Sequence, residues 1–256
     1  MPTGPDRLRE LVEAYIGGLE LTSELGSLRE SMVYALEGGG KRIRPVLCLA
    51  TGEAVGGSLE ELLPAAAAVE LVHSFSLVHD DLPALDDDVE RRGRPSTWAA
   101  HGEATAILAG DALFAEAVRL ARGYPDAAVA RELVAATIAM IGGQQLDLEG
   151  TSDLVRLHGL KTGALFAASV LCGLHAAGVP ESTHGPWRAF AGELGLLFQV
   201  VDDLLDGDGY VLEVGAAETR RLADETAGRA RACLAGLDAE TAVLDGIVVA
   251  LAARTV

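Results

Sequence analysis

Apolar residues recur at i, i+3, i+4 and i+7 along nearly the whole chain, and no stretch alternates apolar with polar residues as a half-buried strand does. That period admits helices and leaves no material for a sheet. Candidate helices fall at 5–17, 27–37, 43–55, 58–81, 102–122, 125–141, 151–178, 187–206, 216–235 and 239–254. Ser27 with Glu30, and Ser58 with Glu61, carry capping-box spacing. Seven of the nine prolines lie at or between segment ends, and Pro45 and Pro64 fall near helix N-termini, where proline is tolerated. With no linker and no low-complexity tract, residues 1–256 read as a single all-α domain. Only 4% of residues are aromatic, so Ala, Leu, Val and Gly must build its core.

Charge narrows the partners. A net charge of −18 repels nucleic-acid phosphates and anionic membranes. The N-terminus MPTGPDRLRELVEAY has neither the basic nor the apolar region of a signal peptide. The most apolar stretch, Gly163 to Val179, is too short and too rich in small residues for a membrane span. Cys48, Cys172 and Cys233 are scattered and odd in number, which offers no disulfide framework and no CxxC metal site. Together these point to a cytoplasmic protein.

Two acidic segments about 120 residues apart carry the chemistry. The first is Asp80-Asp81-Leu-Pro-Ala-Leu-Asp86-Asp87-Asp88, with five carboxylates in nine residues behind an apolar helix. Such carboxylates repel one another unless cations lie between them. Oxygen donors without His or Cys suit Mg²⁺ completed by phosphate oxygens. The second is Gln199-Val-Val-Asp202-Asp203-Leu-Leu-Asp206. On a helix Asp202 and Asp206 lie about 40° apart and share a face, with Gln199 on the same stripe.

Basic residues complement these acids. Eighteen of the twenty basic side chains are Arg, and the two lysines, Lys41 and Lys161, both sit beside glycines. Lys41, Arg42 and Arg44 follow Gly38, Gly39 and Gly40, which permit close backbone approach to an anion. Lys161 and Thr162 precede Gly163, Arg91 and Arg92 follow the first acidic segment, and His73 lies two turns before Asp80. Two acidic and two basic clusters suit two diphosphates, one held through metal and one by Lys and Arg directly.

GGGKRIRP, HSFSLVHDDLPALDDDVERRGRP, GEATAILAGDAL, GGQQLDLE, KTGALF and FQVVDDLLD, in that order over about residues 27–207, resemble the trans-isoprenyl diphosphate synthases of the bacterial farnesyl/geranylgeranyl type. The resemblance implies an isoprenoid synthase-type helical bundle around a central cavity, a homodimer, and a Mg²⁺-assisted condensation of isopentenyl diphosphate with an allylic diphosphate. It implies that Asp80, Asp86, Asp202 and Asp206 bind metal, supported by Asp81 and Asp203. Isopentenyl diphosphate falls to Lys41, Arg44, His73 and Arg92, with Gly40 against it. The allylic diphosphate falls to Arg91, Lys161, Thr162 and Gln199. Gln144 and Asp147 match polar residues near the reacting carbons. No protein base is implied, since in this family the departing diphosphate takes the proton.

Phe75 lies five positions before Asp80, where it points along the tail channel and blocks long products. Pro83 and the lengthened DDLPALD segment narrow the same region in related enzymes. Farnesyl diphosphate is therefore the expected product, with geranylgeranyl diphosphate the alternative. The resemblance breaks after Asp206. Family members continue with a Gly-Lys-rich loop and a lysine that closes over the allylic diphosphate, but no lysine follows Lys161 here. Arg220, Arg221, Arg229 or Arg254 are the candidate substitutes. Trp98 is a second departure. A non-catalytic subunit of a heteromeric synthase and a terpene cyclase are the competing readings; both acidic segments and Lys41, Arg44 and Arg92 speak against them.

Overall fold

The computed structural model describes residues 2–151 and 153–254. Its helices are α1 (Pro5–Gly17), α2 (Leu28–Glu37), α3 (Ile43–Ala54), α4 (Leu59–Asp80), α5 (Thr97–His101), α6 (Glu103–Ala121), α7 (Ala128–Leu148), α8 (Leu154–His158), α9 (Ala164–Ala176), α10 (Gly185–Asp206), α11 (Tyr210–Val214), α12 (Ala216–Ala235) and α13 (Ala242–Ala252). The centre of the bundle is α4. Its Ala65–Ala68 run presents no wide side chain on any side, so α3, α6 and α9 close around it and bury all four alanines. A second layer sets α10 against α9 and α12, and α7 against α9. The aromatics are few but central: Phe166 and Phe190 are fully buried.

Pro64 sits inside α4, where it removes one N–H and crowds the preceding turn. A side chain repairs the opened ladder. The Ala65 N–H donates to the Tyr124 hydroxyl at 3.0 Å, and that hydroxyl donates to the Glu61 carbonyl at 2.6 Å. The tyrosine, from the loop between α6 and α7, thus replaces one turn of backbone bonding.

Several expectations need correction. Neither Ser27 nor Ser58 makes a side-chain cap; Ser27 already has helical backbone angles, which turn its hydroxyl away from the first-turn N–H groups. A two-residue antiparallel pair, β1 (Glu90–Arg91) with β2 (Arg94–Pro95), follows the first acidic segment and is too short to leave an alternating pattern. The helix expected over 125–141 runs on to Leu148. That expected over 151–178 is interrupted by a π-helical turn, Gly159–Gly163, between α8 and α9; its Ser152 lies outside the described residues. Two helical stretches, Leu59–Asp80 and Leu154–Ala176, are long and apolar enough to cross a membrane by length and composition, and both are mostly buried within the bundle.

Candidate active site

The glycine-rich segment between α2 and α3 shapes the basic half of the site. Gly40 has φ +125°, and the Arg92 guanidinium lies flat against it; a Cβ there would fall 2.5 Å from Nη1. Arg92 is itself left-handed (φ +56°) and donates to the Gly39 carbonyl. Arg42, grouped with Lys41 and Arg44 by sequence, turns the other way. It adopts φ +48°, is buried, and bonds Glu70, Glu13 (2.7 Å) and the Leu36 carbonyl. It fastens the loop to α4, and although it borders the cavity beside this loop its donors are taken up by these partners.

A cavity of about 430 Å³ opens beside this loop, lined by Gly40, Lys41, Arg44, His73, Arg92 and Asp202 among others. The Arg44 guanidinium stacks over Phe166 at 4.7 Å and Phe198 at 5.5 Å from the ring centroids. Its Nε has no partner. Burial lowers the Arg44 pKa to about 10, although Glu70 and Asp202 pull it upward. Burial, reinforced by Arg44 and Arg92, holds His73 well below the usual imidazole range. Arg44 Nη1 lies 3.3 Å from His73 Nε2. Because a guanidinium can only donate, Nε2 is the lone-pair nitrogen and Nδ1 carries the proton. Desolvated cations with too few carboxylates form an anion site.

The first acidic segment starts at the end of α4 and folds back on itself. The Asp86 N–H donates to the Asp80 carbonyl at 2.9 Å, which returns Asp86 to the side of Asp80. Burial raises the Asp80 pKa to about 6; Lys161 opposes this and Asp86 adds to it. Asp81 points inward instead, buried against Arg91 Nε at 2.6 Å. Arg91 is thereby committed to Asp81 and to Asp88 at 3.2 Å. The second acidic segment ends α10 in the same manner. Asp203 is buried and caps the next helix, accepting from the Tyr210 N–H at 2.9 Å and from Gln199 Nε2 at 2.6 Å. Gln199 Oε1 accepts from Thr162 at 3.1 Å. Burial raises the Asp202 pKa, offset by Arg254. In each segment the second Asp is thus an anchor, and only the flanking acids remain for a ligand. These are oxygen donors of the kind that suits a hard divalent cation. Among the described residues no three such side chains converge closely enough to enclose an ion, so a cation there needs oxygens from a bound ligand as well.

Lys161 belongs to the π-helical turn, which packs on Gly143 of α7; a Cβ on Gly143 would fall 2.5 Å from the Lys161 nitrogen. The same contact places Lys161 Nζ 2.5 Å from Asp147 Oδ2. A second cavity, about 250 Å³, is lined by Phe75, Asp80, Met140, Gln144, Leu148 and Lys161. Phe75 packs on Phe114 of α6 at 5.6 Å, a partner sequence reasoning missed. Gln144 Oε1 is buried there without a partner. Asp86 and Asp206 line neither cavity.

Of the four candidate lid arginines, Arg221 pairs with Glu218, and Arg229 with Glu193 at 2.9 Å, both away from the cavities. Arg220 donates to two backbone carbonyls, and Arg254 lines the basic cavity. Trp98 Nε1 donates to the Asp88 carbonyl at 2.9 Å, bracing the first acidic loop. Glu70, one turn before His73, was also missed.

The sequence matches the Polyprenyl synthetase family over residues 26–216. A geranylgeranyl diphosphate synthase from Cyanophora paradoxa is 44% identical over 193 residues, covering 69% of this chain. The match spans 64% of that relative's length, less than two thirds. A farnesyl diphosphate synthase from Bacillus subtilis (strain 168) is 39% identical over 205 residues, covering 74% of this chain and 69% of that protein. The crystal structure of a geranyltransferase from Legionella pneumophila superposes with a TM-score of 0.87 at 32% identity, covering 97% of this chain and 95% of that one.

Proposed function

Because the chain belongs to the polyprenyl synthetase family and shares the helical bundle of isoprenoid synthases, we propose that it is a short-chain trans-prenyltransferase joining isopentenyl diphosphate to an allylic diphosphate. The observation that carries this reading is the single cavity in which Lys41, Arg44, His73 and Arg92 meet Asp202. One diphosphate is held there by cations; a second is held between the two acidic segments. Mg²⁺ bound by Asp80, Asp86, Asp202 and Asp206 would neutralise charge developing on the leaving diphosphate.

The protein's own groups do the rest. Lys161, which shares the tail cavity with Asp80, steers the allylic diphosphate toward it, Arg91 holds the first acidic loop through Asp81 and Asp88, and Thr162 and Gln199 fix the floor beneath it. Neutral His73 and cationic Arg44 hold isopentenyl diphosphate with its double bond facing the allylic carbon. The allylic C–O bond breaks, the double bond forms the new C–C bond, and the departing diphosphate accepts the proton released. Phe75, Phe114 and Met140 keep water from the allylic cation. A 250 Å³ tail cavity floored by Phe75 suits a short product, and farnesyl diphosphate fits it before geranylgeranyl diphosphate. Exposed Ile107 and Leu108 on α6, with Ile138 and Ile141 on α7, support a homodimer through this face. Free Cys48 and Cys172, both buried, support a cytoplasmic setting.

The test is a Mg²⁺-dependent incubation with isopentenyl diphosphate and dimethylallyl, geranyl or farnesyl diphosphate, read by product mass. A farnesyl product that stops there is expected. Longer products would overturn the role of Phe75 and keep the reaction class. No product from folded protein with any starter would overturn the enzymatic reading in favour of a non-catalytic subunit.

A further inference from the structure

The first acidic segment runs over the surface: Pro83, Ala84, Asp86, Asp87 and Asp88 are all exposed. Its return toward Asp80 is held largely by its own backbone. The Leu82 carbonyl accepts from the Leu85 N–H at 2.9 Å and from the Asp87 N–H at 3.1 Å. Asp87 is left-handed, with φ +53°, a conformation that an aspartate keeps where its neighbours impose it. The far end of the segment has a hold of another kind. Trp98 Nε1 donates to the Asp88 carbonyl at 2.9 Å, and among the described residues no other side chain bonds a backbone group of residues 80–88.

The indole is itself fixed. The Ser96 N–H, one residue before α5, donates to the Val89 carbonyl at 3.0 Å. Tyr34 of α2 donates its hydroxyl to the Pro95 carbonyl at 2.7 Å and accepts Arg94 Nη2 on its own carbonyl at 3.1 Å. The Arg94 guanidinium lies 3.5 Å over the Tyr34 ring, and the His101 ring meets that ring edge-on at 4.8 Å. Tyr34 therefore holds α5 just before its start and at its end, and Trp98 packs on the core between those points. An indole has only two side-chain torsions, so ordering it costs little.

We propose that Trp98 is a positioning residue for the first acidic segment: by holding the Asp88 carbonyl it keeps Asp86 turned back beside Asp80, so that both carboxylates can serve one divalent cation. The inference rests on the prenyltransferase reading of the site. Asp86 is then held from both sides, by its own N–H on the Asp80 carbonyl at 2.9 Å and, two residues on, by the indole. Without the indole, Asp87 is free to leave its left-handed conformation and carry Asp86 outward.

The test compares Trp98→Phe, which keeps an aromatic ring and loses the donor, with Trp98→His, whose Nε2 lies as many bonds from Cα as the indole Nε1. In EDTA, hydrogen exchange of residues 82–88 should quicken about fivefold in Trp98→Phe, the loss of one ordinary hydrogen bond, while α6 stays as protected as in wild type. The Mg²⁺ concentration giving half-maximal turnover should rise by a similar factor, with kcat at saturating Mg²⁺ within about twofold of wild type. Trp98→His should recover most of both effects. Unchanged exchange, faster exchange with an unchanged Mg²⁺ requirement, or equal impairment of the Phe and His variants would overturn the proposal, the last because it would assign the effect to packing and not to the donor. If Trp98→Phe does not fold, benzothienylalanine at position 98, which keeps the indole shape without its N–H, takes its place. Wild-type protein that turns over beside a Trp98→Phe variant with an unchanged Mg²⁺ requirement defeats this inference alone. Folded wild-type protein that forms no product with Mg²⁺ defeats the prenyltransferase reading and the metal role of Trp98 with it.

Discussion

Replacing Arg44 by Met should make the ligand-free protein more stable and the site useless. Arg44 is a cation whose pKa falls from the ordinary guanidinium range to about 10 in the folded state because burial disfavours its charge. The unfolded chain keeps the ordinary value. At every pH below about 10 the fold therefore carries the cost of an ionised, poorly hydrated guanidinium. That cost is about 3 kcal/mol at 1.36 kcal/mol per pKa unit. Against it stand the stacking on Phe166 and Phe198, about 1 kcal/mol, and the hydrogen bond to His73, also about 1 kcal/mol. Met refills the volume, so the variant should gain about 1 kcal/mol net, or about 2–4 °C in Tm for a chain of this size. Binding should move the opposite way. Removing one partner of a desolvated charge pair costs about 3 kcal/mol, which is roughly a hundredfold rise in the KM for isopentenyl diphosphate. The assay is a thermal melt at pH 7.5 with and without inorganic pyrophosphate, beside steady-state kinetics. A variant that melts below wild type yet keeps the full pyrophosphate-induced rise would show Arg44 to be a packing residue and refute the argument.

Asp80→Asn should stabilise the metal-free protein, and only at higher pH. A carboxyl whose folded pKa is raised to about 6 contributes no penalty while protonated, and its cost appears as pH climbs from the ordinary 3.8 toward 6. The two melting curves should nearly coincide at pH 3, below both pKa values, and separate fully above pH 6, whereas a pH-independent difference would count against it. Mg²⁺-dependent turnover by the same variant should fall at least about a hundredfold. Phe75→Ala should open the channel against Phe114 and lengthen the product by an isoprene unit, seen by mass spectrometry. It should also cost about 1–3 kcal/mol in stability, since the ring is only half-buried. Ile138→Glu places a charge on the exposed α6–α7 face and should yield monomer by light scattering; unchanged mass would move the dimer interface elsewhere.

What could be read without coordinates was whatever the helical period determines. The helices and the shared face of Asp202 and Asp206 follow from spacing. The inward turn of Asp81 and Asp203 was not read there, although adjacent helical residues point about 100° apart and cannot both face one ion. Arg42, grouped with Lys41 and Arg44 because all three follow the glycines, is instead bonded to Glu13 and Glu70, 29 and 28 residues away. Contacts between distant helices left no local trace. Phe114 reaches Phe75 from α6, and Phe166 lies under Arg44 from α9. The π-helical turn that aims Lys161 is set by packing on Gly143, in a segment whose own residues read as ordinary helix.

The repair of α4 at Pro64 makes the order of sequence change matter. If Pro64 becomes Ala first, Ala65 can bond Glu61 directly and Tyr124 loses its task without harm. If Tyr124 becomes Phe first, the buried Ala65 N–H is stranded at a cost of about 2 kcal/mol. Descendants of this sequence can therefore shed the pair along one path and are held back on the other. The proline and the tyrosine, 60 positions apart, should be inherited as a unit even though neither touches the site that the helix serves.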